Sequence, residues 1–111
     1  MEVKQKKVIG SKLFEELDVP SIYEYGEVTF GVRLADSFFD TILNDVEDLE
    51  TQYLLHPECR HLETKTKIYR NIILGSYLII YRIRANKIEV LRAFHGSRSP
   101  KTIKLVQKVK V

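Results

Sequence analysis

Between Val32 and Tyr53 the apolar residues return every three or four positions: Val32, Ala35, Phe38, Phe39, Ile42, Val46, Leu49 and Tyr53, with Asp36, Asp40, Asn44, Glu47 and Asp48 off that stripe. This spacing predicts one long amphipathic helix that packs a single face, ending near His56-Pro57. Upstream, Leu13, Phe14, Leu17, Ile22 and Tyr25 keep an approximate helical spacing, which Pro20 interrupts or restarts, with Asp18 placed to cap the second piece. The β-branched stretch Lys6 to Ser11 suits a short edge strand. Glu58 to Lys67 is polar and reads as a loop.

From Tyr69 the period changes to two. Strands are predicted near Tyr69 to Leu74, Tyr77 to Arg84 and Lys87 to Phe94, joined by Gly75-Ser76 and Ala85-Asn86. Connections of two residues force antiparallel hairpins. They place Arg70 across from Tyr81, Tyr81 across from Val90, and Arg82 across from Glu89 on the other face. One face then carries Ile72, Leu74, Tyr77, Ile79, Tyr81, Ile83, Ile88, Val90 and Phe94 with Arg70 and Arg92. The opposite face carries Ile73, Leu78, Ile80, Leu91 and Ala93 beside Arg82, Arg84 and Lys87. Both faces mix apolar and basic residues, so the pattern leaves open which one the helices cover.

The chain has 111 residues and 44% apolar content, enough for one domain with its own core and too few for two. Residues 101–111 read as a basic C-terminal tail, its lysines Lys101, Lys104, Lys108 and Lys110 forming a solvated face. The first residues lack the apolar run of a signal peptide, and no stretch approaches membrane-spanning length, so a cytoplasmic protein without membrane contact is expected. Cys59 is the single cysteine, which excludes an internal disulfide and a cysteine-based zinc site. Charge changes the picture more. Met1 to Cys59 holds five Lys/Arg against thirteen Asp/Glu, and Arg60 to Val111 holds thirteen against two. The modest net charge of +3 hides a basic half that attracts polyanions or an acidic partner.

The run Arg70-Asn71-Ile72-Ile73-Leu74-Gly75-Ser76-Tyr77-Leu78-Ile79-Ile80-Tyr81-Arg82, followed by Ile88 to Leu91 and Phe94-His95-Gly96-Ser97-Arg98-Ser99-Pro100, resembles the RelE/ParE family of bacterial toxins, also known as plasmid stabilisation proteins. Ile22-Tyr23-Glu24-Tyr25-Gly26, Phe30-Gly31 and the Ala35/Phe38 helix look like that family's helical hairpin. The resemblance covers about Val8 to Pro100. It implies an α+β fold: an N-terminal strand, a helical hairpin and a three-stranded antiparallel meander joined in one sheet. It also implies a cognate protein antitoxin bound in a hetero-oligomer, with DNA gyrase (ParE-like members) or the ribosome and its mRNA (RelE-like members) as target, and no cofactor or metal.

The resemblance marks Arg70, His95 and Arg98 as catalytic candidates, and Arg82, Arg84, Lys65 and Lys67 as contacts to nucleic acid or another target. Two departures separate the chain from the mRNA-cleaving branch. Leu78 stands where those members carry Arg, and no aromatic residue follows His95. His95 is the only evident proton-transfer group near the motif, and it is equally a structural strand-end histidine. Arg82 has a plainer role open to it, pairing with Glu89. Three functions are thus weighed: a toxin acting on gyrase or translation, a ribosome-dependent endoribonuclease, and a non-catalytic nucleic-acid-binding module. On the first, Arg70 and Arg98 matter more than Lys108 while leaving the fold intact, and an acidic, apolar antitoxin segment covers part of the basic half.

Overall fold

A computed structural model describes residues 3–111. It is an α+β protein in which a helical hairpin packs on one face of a four-stranded sheet of order β1-β4-β3-β2. Strand β1 (Lys7–Gly10) lies at the sheet edge, parallel to β4 (Lys87–His95), with Val8 opposite Ile88 and Gly10 opposite Val90. Strands β2 (Tyr69–Leu74) and β3 (Tyr77–Ile83) complete the antiparallel meander. The pairs Arg70 with Tyr81, Tyr81 with Val90 and Arg82 with Glu89 all form in the expected register.

Where β1 ends, two side chains take over the edge of β4. The Ser11 hydroxyl donates to the Leu91 carbonyl at 2.6 Å and accepts from the Phe14 amide at 3.0 Å. The Asp18 carboxylate accepts from the Ala93 amide at 2.9 Å and from the Arg92 guanidinium at 2.7 and 2.9 Å. Both side chains are buried, so β4 leaves neither of these backbone groups unpaired against the core.

These contacts correct one expectation about the first helix. Asp18 makes no cap; it turns toward the sheet. Of the two outcomes open at Pro20 the restart is the one observed: a π-helical turn, Leu13–Asp18, runs directly into α1 (Val19–Phe30). Pro20 falls in the first turn of α1, where its missing N–H has little consequence. Gly31, at φ 94°, then reverses the chain into α2 (Val32–Gln52), which ends before His56. Such a φ is strained for any residue with a Cβ, so a hairpin joined by one residue calls for glycine there. The Tyr23 hydroxyl of α1 donates to Asp36 of α2 at 2.6 Å, and this bond raises the phenol to about 12.

The helices cover the face that carries Ile72, Ile79, Tyr81, Ile88 and Val90, packing Phe14, Ile22, Ile42, Leu49 and Tyr53 against it. One part of the strand alternation differs from expectation. Ile80 pairs with Arg92 while Tyr81 pairs with Val90, so Leu91 is the extra residue of a β-bulge. Beyond it the side chains exchange faces: Ala93 joins the helix-side core, and Phe94 and Arg92 leave the Tyr81 face. A period of two cannot announce its own interruption, so the alternation predicts Phe94 on the Tyr81 face while the bulge puts it on the other.

The opposite face is covered as well. Helix α3 (Pro100–Lys104) and a 3-10 turn (Leu105–Lys108) place Ile103 and Val106 against Ile80, Leu91 and Phe94, with Cys59 and Leu62 beside them. The C-terminal segment therefore has a packed apolar side beneath its lysines. The Ser99 side chain caps α3 by accepting from the Thr102 amide at 3.3 Å.

Removing the Asp18 carboxylate strands the Arg92 cation and the Ala93 amide at once. Asp18→Ala is expected to lower stability by about 3 kcal/mol, the usual result of breaking a buried ion pair from one side. Asp36→Ala, on the exposed side of the hairpin, is expected to lose well under half of that. Urea denaturation of the two variants checks the order, and equal losses would remove Asp18 from its place at the sheet edge.

Candidate functional site

The basic residues singled out from sequence fall into three groups at different places on the sheet. Arg82 of β3 is buried and donates to Glu89 at 2.7 Å. Its other nitrogens donate to the Gln107 carbonyl at 3.2 Å, the Val109 carbonyl at 3.1 Å and the Tyr69 hydroxyl at 3.4 Å. Arg82 is thereby a pin between the sheet and the C-terminal segment. Arg84 donates to the same Glu89 carboxylate at 2.9 Å, and the Lys87 ammonium lies 3.4 Å from it. Burial pushes the Glu89 carboxyl upward, but the hydrogen bonds and charges of Arg82 and Arg84 outweigh burial and hold it below the usual range.

Arg70 of β2 is equally engaged. It donates to the carbonyls of Lys67, Leu54 and His56 at 3.2, 3.1 and 3.0 Å, tying the chain after α2 and the following loop to the start of β2. The His56 ring meets Tyr81 edge-on at 6.1 Å. Burial depresses its basicity, opposed by Asp45 and reinforced by Arg70. Lys65 and Lys67 are exposed in the same loop, with no carboxylate in ion-pair range among the described residues.

His95 and Arg98 lie at the opposite end of the sheet. The His95 ring Nδ1 sits 2.7 Å from the Ser97 hydroxyl and accepts from the Ser97 amide at 3.2 Å. The Arg98 guanidinium lies over the Phe94 ring at 5.7 Å, and its amide donates to the His95 carbonyl. His95 pairs with Tyr77, and Arg70 with Tyr81, four residues further along β3. At about 3.3 Å per residue that is a separation of roughly 13 Å along the strand. The structure thus brings His95 and Arg98 together and leaves Arg70 apart from them.

A feature absent from the sequence reading is an open apolar groove of about 530 Å³ between the helical hairpin and the β2–β3 turn. Phe30 and Leu34 of the hairpin line it, at 62% and 58% exposed, as does Tyr25 at 58%. Tyr77, Gly75 and His95 close the sheet side. Val28 and Val32 stand exposed beside it. Val32, a member of the expected packed stripe of α2, is exposed instead. A signal was present: Val28, Phe30, Val32 and Leu34 crowd the hairpin tip with more apolar surface than one stripe needs. Among the described residues, no group of three or more His, Cys, Asp or Glu side chains gathers as a metal site, and no helix is long and apolar enough to cross a membrane.

Residues 14–100 match the model of a family described as the ParE toxin of the type II toxin-antitoxin system, parDE. The chain belongs to the ParE toxin family. Its fold is similar to a solved structure from the chromosomal ParDE TA system of P. aeruginosa, with a TM-score of 0.66 and 18% identity over 83% of this chain and 97% of that one. No curated protein sequence matches. The family match takes in the helical hairpin, the groove and the meander. It leaves out β1 and residues 101–111, which complete the sheet edge and cover its second face.

Within this ParE-family chain Arg70 carries structural work that its spacing alone did not reveal. Arg70→Ala is expected to lower stability by about 1 to 2 kcal/mol through its three lost carbonyl bonds, while Arg98→Ala leaves the melting curve nearly unchanged. Thermal unfolding distinguishes them, and loss of toxicity in Arg70→Ala is interpretable only beside that measurement.

Acid should weaken the fold through Glu89. Because its folded-state pKa is depressed, its contribution is complete above the ordinary value of 4.5 and is lost as pH falls toward the folded value. Stability by urea titration is expected to drop below about pH 4.5, with a shallower acid limb in Glu89→Gln; an unchanged limb would dismiss the role of this pair. The Cys59 thiol, pushed up to about 11 by burial and the nearby Glu58, is expected to resist alkylation at pH 8 until the protein unfolds.

Proposed function

We propose that this chain is the growth-inhibiting component of a type II toxin-antitoxin module, that it acts on DNA gyrase, and that a protein antitoxin silences it by docking on the helical hairpin and the basic half together. The family match over residues 14–100 carries the reading. The solved relative of similar fold belongs to a ParDE TA system, which supports an antitoxin as partner.

The geometry favours gyrase over mRNA cleavage. General acid-base cleavage of RNA needs a proton-transfer group and cations converging on one phosphate. Here Arg70 is bound to three backbone carbonyls at one end of the sheet, Arg82 is locked to Glu89, and only Arg98 accompanies His95. A site of one exposed histidine and one arginine suits recognition better than phosphoryl transfer.

For the antitoxin, the exposed apolar groove offers the lasting anchors, because buried apolar side chains hold an interface more firmly than exposed ion pairs. The surface lysines of the basic half speed encounter with an acidic partner. Association is therefore expected to slow as salt rises while dissociation changes less, and Leu34→Arg, which places a charge in the groove, is expected to raise the dissociation rate. A salt-independent association rate would remove the electrostatic part of this reading.

Expression of the chain alone is expected to arrest growth, and co-expression of the protein encoded beside it to restore growth. Purified protein added to gyrase is expected to block supercoiling or accumulate cleaved DNA. Cleavage of mRNA in a translating extract with gyrase unaffected would instead establish the endoribonuclease reading. Growth unimpaired at confirmed expression would count against a toxin altogether.

A further inference from the structure

The groove beside the helical hairpin is walled mainly by side chains. Its helical walls are α1 and α2, and at the β2–β3 turn the Ser76 carbonyl is already taken by the Gly96 amide at 2.7 Å. β2 is the open edge of the sheet, but residues 57–59 already pair with its start, through Cys59 to Tyr69 and Asn71 to Pro57, so a segment docking there finds no long row of free backbone donors and acceptors to pair with. Its own backbone must be hydrogen-bonded internally, so the form that fits is a helix and not an added strand.

The polar groups in the lining are unequal. The Tyr23 hydroxyl is committed to Asp36, and the Thr41 hydroxyl to the Ser37 carbonyl. Three larger polar side chains remain: Tyr25 from α1, Tyr77 from β3 and His95 from β4. Their origins in three different elements bring them to one groove. The rings of Tyr77 and His95 meet edge to face at 5.8 Å, and Tyr77 leans on Phe38 at 5.7 Å, which holds its position.

All three are donors. Nδ1 of His95 is assigned as the acceptor of the Ser97 amide, and with that assignment the ring's N–H is on Nε2. Tyr77 keeps its proton, since burial and then the neighbouring Tyr25 push its ionisation upward. Among the described residues neither Tyr25 nor Tyr77 gives its hydroxyl to an acceptor. A helix that covers these donors displaces their water and must return an acceptor, and a carboxylate makes the strongest such bonds.

We propose that Tyr25, Tyr77 and His95 form a polar anchor in the groove that selects an amphipathic helix bearing one carboxylate on its apolar face. This rests on the reading of the groove as the antitoxin's docking site. On this account His95 is a specificity determinant for the partner: the apolar walls accept many helices, and the anchor sets the register of one.

The test uses the full chain with the protein encoded beside it, whose acidic residues are replaced one at a time by the matching amide. Tyr77→Phe and His95→Gln are each expected to weaken binding about tenfold, the effect of losing one charge-assisted hydrogen bond. One amide replacement in the partner is expected to weaken it to a similar degree. Combined with His95→Gln, that replacement should weaken binding by much less than the product of the separate factors, the mark of a direct contact. Tyr25→Phe and Tyr77→Phe remove only a hydroxyl, and a melting curve confirms that each remains folded. If Leu34→Arg abolishes binding while the Tyr25, Tyr77 and His95 variants all stay within about twofold of the parent, less than a hydrogen bond is worth, the groove holds the partner and the anchor is refuted. If Leu34→Arg leaves binding intact, the groove reading fails and the anchor with it.

Discussion

The parallel pairing of β1 with β4 is the constraint on which the rest of the molecule depends. It joins residues 7–10 to residues 87–90, and a parallel pair requires the chain between them to cross over the sheet. The helical hairpin lies in that crossover. β1 is only four residues long, so the remaining edge of β4 needs other partners, and Ser11 and Asp18 provide them. Asp18 also binds Arg92, which fastens the start of α1 to the last strand.

That anchor sits at one end of the hairpin, and the consequence appears at the other. Near Asp18 the helices are packed into the core, whereas on either side of Gly31 they leave Val28, Phe30, Val32 and Leu34 exposed. A monomer seldom leaves so contiguous an apolar surface without a partner. The groove is thus a product of how the crossover is tied down, and its polar residues come from three elements that only this arrangement brings together.

Charge tells a related story. By composition the basic half of the chain offers one extended cationic surface, yet Arg70, Arg82 and Arg92 each serve internal partners. Arginine suits such duty because its planar fork satisfies several acceptors at once. The cationic surface that remains is carried largely by lysines, on the loop before β2 and on the C-terminal segment that Arg82 holds against the sheet. Steering by such a surface is diffuse, and specificity is left to the groove.

Local patterning was enough to determine the long helix α2, the three meander strands, their two-residue turns and the register of Arg82 against Glu89. These follow from side-chain periodicity and turn chemistry, which act between near neighbours. The motif around Gly75 and His95 was enough to point to the toxin family. Tertiary structure decided what depends on distant partners: the face of the sheet that the helices cover, the bulge at Leu91 that moves Phe94 to the other side, the turn of Asp18 from cap to sheet edge, and the burial of Ile103 and Val106. It also decided the site. Whether an arginine meets solvent or, as Arg70 does, a carbonyl sixteen residues away is a question of packing, and neither periodicity nor charge count contains the answer.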